Sequence, residues 1–222
     1  MNVLAFASRK GGAGKSTLAA PHADKHGRAC LLIDDDPQGS LTLWNEMRQD
    51  AALPVKTVKR RIADVVKKAD RQGVDWVFID TPANLSACVV ETIEAATLVI
   101  IPCRPGVFDI DAVQHTIELA RHARTPYAVV LNGAAPKRGE LEMPAVTWAR
   151  ECLARLKIPV WGGQITHRAS LSLGIAKGEG MKEYDDDSSA ASEIARLWQA
   201  IEKSVAVING ARERAAMHRL AA

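Results

Sequence analysis

The sequence predicts a doubly wound α/β fold, with a mainly parallel sheet flanked by helices. Three observations predict it: short apolar runs with almost no polar alternation, helix-like stretches between successive runs, and a glycine-rich turn directly after the first run. A strand covered on one face alternates apolar and polar residues; a strand covered on both faces is apolar throughout. Right-handed crossovers through the intervening helices then lay such strands side by side. With 222 residues, 47% hydrophobic and 25% charged, the chain suits a single domain spanning 1–222 whose core needs no covalent staple.

Taken in order, Val3–Ala7 reads as the first strand, followed by the glycine loop and a helix from about Lys15. Ala29–Ile33 is a second strand and Val55–Val58 a third. A helical stretch around Ile62–Arg71 precedes the strand Trp76–Ile79. Leu98–Ile101 and Tyr127–Leu131 continue the series, with Val160–Gly162 as a candidate last strand. Gly178–Ser189 is polar, acid-rich and glycine-bearing, which predicts a loop before a final helix over Ala190–Asn209. The tail 210–222 is expected to fray.

Composition excludes several classes. The start, Met1-Asn2-Val3-Leu4-Ala5-Phe6-Ala7, carries no charged segment followed by a long apolar one, so no signal peptide is expected. No apolar run approaches the roughly 20 residues of a membrane span, and a cytoplasmic location is expected. The net charge of +3 leaves nucleic-acid binding to a local basic patch. Cys30, Cys88, Cys103 and Cys152 form no C-x-x-C pair. Small buried thiols explain them better than metal or cluster ligation.

Chemistry concentrates in Ser8-Arg9-Lys10-Gly11-Gly12-Ala13-Gly14-Lys15-Ser16-Thr17, between the first strand and the first helix. A polyphosphate needs many N–H donors at close range, and glycines let the backbone approach without Cβ clashes. The helix that follows adds unpaired N–H groups and a positive dipole end. Lys15 supplies charge toward the β- and γ-phosphates, and Ser16 offers a hydroxyl to Mg²⁺. The pattern G-x-x-x-x-G-K-[ST] is not met, because Arg9 stands where its first glycine belongs and Lys10 opens the loop.

That departure resembles the deviant Walker A loop of the ParA/MinD ATPases, P-loop NTPases of the SIMIBI type. Leu32-Ile33-Asp34-Asp35-Asp36-Pro37-Gln38-Gly39-Ser40 is similar to the family's segment at the end of the second strand. Asp75-Trp76-Val77-Phe78-Ile79-Asp80-Thr81-Pro82 is similar to its Walker B and switch II segment. The resemblance covers nearly the whole chain and is closest to the small ParA-type partition proteins. It implies an ATPase that takes ATP and Mg²⁺ as cofactors. It assigns nucleotide binding to Lys10, Gly11, Gly12, Ala13, Gly14, Lys15, Ser16, Thr17 and Asn132, the last facing adenine from the end of Val129-Val130-Leu131-Asn132. Lys10, Lys15 and Asp36 take catalytic roles: Lys10 reaches the partner's phosphates across a dimer, and Asp36 positions the attacking water. Ser16, Asp36 and Asp80 serve the metal, with Asp34 near them. Asp34, Asp36 and Asp80 carry an alternative as helix caps or turn residues, and Asn132 as a turn residue before Gly133.

One departure concerns the first helix. Between Ser16 and Asp34 the chain is shorter than the family pattern by about three residues, close to one helical turn. Pro21 lies in that helix, where an interior proline costs roughly 3 kcal/mol, so a kink or an early end is expected.

ParA-like proteins, by the same resemblance, form ATP-dependent homodimers that bind DNA without sequence preference and are nucleoid-associated. Their cargo is a plasmid, chromosome or other body carried with a ParB-like stimulating partner. Arg168, Lys177 and Lys182 are the candidate DNA contacts, with Lys56, Lys59, Arg60 and Arg61 as a second basic cluster; a solvated basic face is the alternative for both. His22 and His167 have no ligand-like companions. A MinD-like membrane-associated positioning ATPase is the first alternative function. The tail around Arg212, Arg214, Met217 and Leu220 is too poor in large apolar residues to favour it. An ATP-dependent amidating or carboxylating synthase of the cobyrinic acid/dethiobiotin type is the second, and iron–sulfur reductase relatives rank last because Cys88 has no evident partner.

Overall fold

The computed structural model describes residues 1–22, 28–48, 54–57, 61–84 and 86–220. Among these, seven strands form one parallel sheet: β1 (Asn2–Phe6), β2 (Cys30–Asp34), β3 (Val55–Thr57), β4 (Trp76–Asp80), β5 (Leu98–Cys103), β6 (Tyr127–Ala134) and β7 (Ile165–Thr166). Their order is β3-β2-β4-β1-β5-β6-β7. The helices are α1 (Lys15–His22), α2 (Ser40–Met47), α3 (Ile62–Arg71), α4 (Ala87–Ala95), α5 (Val107–His122), α6 (Pro144–Arg155), α7 (Ala169–Ala176), α8 (Met181–Tyr184) and α9 (Ser189–Leu220). Every strand pair is parallel, as the unbroken apolar runs require.

Both faces of the sheet are covered. Leu4 and Phe6 of β1 point to one side, where Leu32, Phe78 and Ile100 meet Leu18 of α1, Trp44 of α2 and Leu197 of α9. Ala5 and Ala7 point to the other, where Val99 and Val129 meet Ile93 of α4, Val113 of α5 and Leu153 of α6. Val3, Ile33 and Val77 pack against Ile62 of α3 at the β2 end. Each large buried side chain contributes roughly 1.5–3 kcal/mol of transfer free energy. Trp198 pins α9 to the sheet, with its ring 4.9 Å from Trp76 and 5.9 Å from Phe78.

The register aligns the strand ends that matter. Phe6, Asp80 and Asp34 stand side by side across β1, β4 and β2. Because β1 lies between β4 and β5, the loop after β1 opens beside the ends of both. That is the crevice in which doubly wound sheets hold ligands.

Three expectations change. The last strand is Ile165–Thr166, while Val160 makes one isolated bridge to Val129 and Trp161 N donates to Val129 O at 2.9 Å. Gly163 breaks the run: a Cβ there would collide with the Trp161 ring. The expected loop at 178–189 contains the short helix α8, and α9 continues to Leu220 through the stretch expected to fray. Residues 211–216 are alanine, arginine and glutamate, all strong helix formers, so the helix continues through them. As for Pro21, it lies in the last described turn of a two-turn α1. Val58, Lys59 and Arg60 lie outside the described residues.

Candidate nucleotide-binding site

The glycine loop folds back over the C-terminal edge of β1 before α1 begins. Gly12 and Gly14 adopt φ of 70° and 100°, the left-handed region that glycine alone enters cheaply. Gly14 is constrained further, because a Cβ there would overlap the Asn132 amide. Asn132, buried at the end of β6, donates from Nδ2 to Ala13 O at 2.7 Å. Its amide thus braces the glycine loop from β6.

That cleft, ≈ 490 Å³, is lined by Gly11, Gly12, Gly14, Lys15, Ser16 and Thr17 on the loop side and by Asp36, Gln38 and Trp44 opposite. The two lysines of the loop differ. Lys15 is 6% exposed. Its burial lowers its pKa, opposed by the charges of Asp80 and Asp36. Lys10 is half-buried at the start of the loop, with its backbone N–H on Ser8 Oγ at 3.3 Å. Among the described residues no carboxylate pairs with Lys10.

The aspartates take separate tasks. Ser16 Oγ donates to Asp80 Oδ2, while Asp80 Oδ1 is buried without a hydrogen-bond partner. Burial pushes the Asp80 pKa up to about 7, against the Ser16 hydrogen bond and the Lys15 charge. An orphaned, buried carboxylate oxygen beside a serine hydroxyl suits a hydrated divalent cation, so the residues fit Mg²⁺. Ser16 and Asp80 would hold the ion, which would offset phosphate charge. Among the described residues no cluster of three or more His, Cys, Asp or Glu could hold a metal. The remaining ligands would be phosphate oxygens and water.

Asp36 lines the cleft, and its Oδ1 accepts from Gln38 N at 3.0 Å in a local turn. Asp34 is spent on structure. Its Oδ2 accepts from Thr42 N and Thr42 Oγ1, both at 2.8 Å, satisfying an unpaired N–H in the first turn of α2. Gly39, at φ 66°, supplies the turn that lets α2 start.

The candidate DNA residues sit at the ends of α7 and on α8. Arg168 is not a free cation: its Nη2 lies 3.2 Å from Glu193 Oε1. Glu193 is itself buried and accepts from Thr166 N and Thr166 Oγ1, each at 2.8 Å. Lys177 is exposed, with its ammonium 4.9 Å from the centre of the Tyr184 ring, and Lys182 is exposed. In the second cluster Lys56 is exposed and Arg61 pairs with Glu91 at 3.3 Å. Ile175 of α7 lines the nucleotide cleft, which links that helix to the loop.

One charged cleft residue has no counterpart among the sequence-derived candidates. Arg104 follows β5 and lines the cleft. The signal that could have found it is the strand order, which places β5 directly beside β1.

A glycine loop joining a central parallel strand to a helix, with a buried lysine and a serine–aspartate pair beside it, defines a P-loop nucleotide-binding fold. The chain belongs to the CobQ/CobB/MinD/ParA nucleotide binding domain family, whose model matches residues 4–181. It is a P-loop ATPase of that family. It is 28% identical over 215 residues to the "Maintenance of carboxysome distribution protein A" of Gloeobacter kilaueensis, spanning 89% of this chain and 95% of that protein. It is 30% identical over 148 residues to the "Protein ParA" of Rhizobium radiobacter, spanning 61% of this chain and 66% of that protein. In fold it is similar to an ATP complex of a McdA variant from Cyanothece. That match has a TM-score of 0.74 and 16% identity, and covers 91% of this chain and 96% of the other.

Proposed function

We propose that this chain is an ATP-driven partition or positioning ATPase. With ATP and Mg²⁺ it forms a homodimer that binds DNA without sequence preference, and a cargo-linked partner of the ParB type stimulates hydrolysis and release. Relatives named for carboxysome distribution and for ParA support partition or positioning as the role.

The observation that carries this proposal is the contrast between the two loop lysines. Lys15 is buried beside Asp80 and Asp36, where it serves the chain's own nucleotide. Lys10 is half-buried and has no carboxylate partner among the described residues, which leaves its charge for a second copy's phosphates. Triphosphate charge exceeds what Mg²⁺ and one lysine neutralise, and a cation supplied in trans makes dimerisation depend on ATP. Ser16 and Asp80 hold the metal, and Asp36 orients water at the cleft. Lys177 and Lys182 give the DNA-facing side its charge, with Arg168 beside them sharing its charge with Glu193. No helix among the described residues is long and apolar enough to cross a membrane.

The test is a duplex-binding titration with ATP·Mg²⁺, ADP·Mg²⁺ and no nucleotide. Retention of random-sequence duplex in ATP alone, weakened by Lys177→Glu with Lys182→Glu, supports the proposal. ATP-dependent binding to liposomes without DNA binding favours the membrane-associated alternative. Turnover that requires a small carboxylate and ammonia favours the synthase.

A further inference from the structure

We infer that Arg104 is a third phosphate-binding cation of this site, directed at the terminal phosphate of the bound nucleotide. The inference rests on nucleotide binding at the loop and adds a residue outside the two lysines. Arg104 lies in Pro102-Cys103-Arg104-Pro105-Gly106, just past the end of β5. Pro105 restricts the Arg104 backbone to extended conformations. Gly106 N donates to Arg104 O at 2.8 Å, closing a tight turn. The side chain thus starts from a fixed backbone at the edge of the crevice.

Its path crosses two left-handed glycines. A Cβ on Gly133, which has φ 64°, would lie 3.6 Å from Arg104 Cγ and 3.7 Å from Nε. A Cβ on Gly12 would lie 3.5 Å from Nη2. The stem therefore runs over Gly133 at the end of β6, and the guanidinium comes to rest above Gly12, within the cleft that Lys15 lines. These distances are van der Waals contact, so the arginine lies packed along both glycines.

Charge completes the case. Among the described residues no carboxylate forms an ion pair with Arg104. A guanidinium held over the backbone of a phosphate loop without a counterion is set to receive one. Its planar fork matches two oxygens of a phosphate, which a lysine cannot do. Gly12 lies on the loop before Lys15, away from the start of α1 where Ser16 and Thr17 sit. Arg104 therefore meets the end of the phosphate chain that the loop encloses, the part ATP has and ADP lacks.

The experiment compares Arg104→Ala and Arg104→Lys with the wild type, using equilibrium affinity for AMPPNP·Mg²⁺ and for ADP·Mg²⁺. Thermal unfolding without nucleotide serves as the folding check. Loss of a bidentate charged contact predicts an affinity for AMPPNP about tenfold weaker in Arg104→Ala, an ADP affinity within about twofold, and an intermediate Arg104→Lys. Unchanged AMPPNP affinity, or equal losses for both nucleotides, overturns the assignment. Lys15→Ala, run beside them, separates the two levels. If the wild type fails to bind either nucleotide, site and inference fall together; if only Arg104→Ala is silent, this inference falls alone.

Discussion

The glycine loop and the basic segment of α7 and α8 are both rich in cations, yet they are built on opposite terms. In the loop, contiguous residues set the geometry: Gly12 and Gly14 turn the backbone, and α1 begins at Lys15. At α7 and α8 side-chain partners decide how much charge is left, with Arg168 tied to Glu193 of α9 and Lys177 lying over the Tyr184 ring. A site made of local backbone is written in consecutive residues. A charged surface is decided by which charges the fold neutralises, and that is settled only when the chain closes.

The largest effects are expected at the loop. Lys15→Ala should weaken ATP·Mg²⁺ binding by roughly a hundredfold, since a buried charged contact to phosphate disappears, measured by fluorescence titration. Gly14→Ala should cost about 2 kcal/mol or more in urea unfolding, because the new methyl demands both a strained φ and the space of Asn132. On the basic side, Lys177→Glu with Lys182→Glu should weaken ATP-dependent duplex affinity by about tenfold at moderate salt and flatten its salt dependence. Arg168 calls for glutamine rather than glutamate, because a carboxylate there would face buried Glu193 and confuse folding with DNA contact.

Two smaller effects sharpen the same contrast. Asn132→Ala should lower stability by about 1 kcal/mol, by removing the donor on Ala13 O. Cys103 is buried, and burial pushes its thiol from 9.0 up to about 12, with the Asp109 charge adding to the rise. The folded state then favours the protonated thiol, so this group's contribution to stability falls as pH rises from about 9 toward 12. At pH 8, alkylation with mass mapping should modify Cys30, Cys88 and Cys152 well before Cys103.

The sheet was largely legible, because β1, β2, β4, β5 and β6 are mainly apolar runs covered on both faces. Val160–Gly162 misleads for a physical reason: the run touches β6 through Val129, but Trp161 and Gly163 end the ladder after one bridge. At the site, the loop residues, Asp36 and Asp80 were visible as motifs; Gly11, Gly12, Gly14, Lys15, Ser16, Thr17 and Asp36 line one cleft, and Asp80 meets it through the Ser16 hydroxyl. The same three-aspartate run could not reveal that Asp34 is consumed by Thr42. Nor could β6 reveal that Asn132 turns toward Ala13, nor β5 that Arg104 reaches Gly12. The last two depend on how distant strand ends are brought together, a property of topology and not of any local window.

The division of labour between the two lysines is tested most directly by sedimentation of the wild type and Lys10→Ala, each saturated with ATP·Mg²⁺. The account predicts a dimer for the wild type and a nucleotide-bound monomer for Lys10→Ala. A Lys10→Ala protein that dimerises as the wild type does, or a wild type that stays monomeric when saturated, would contradict it.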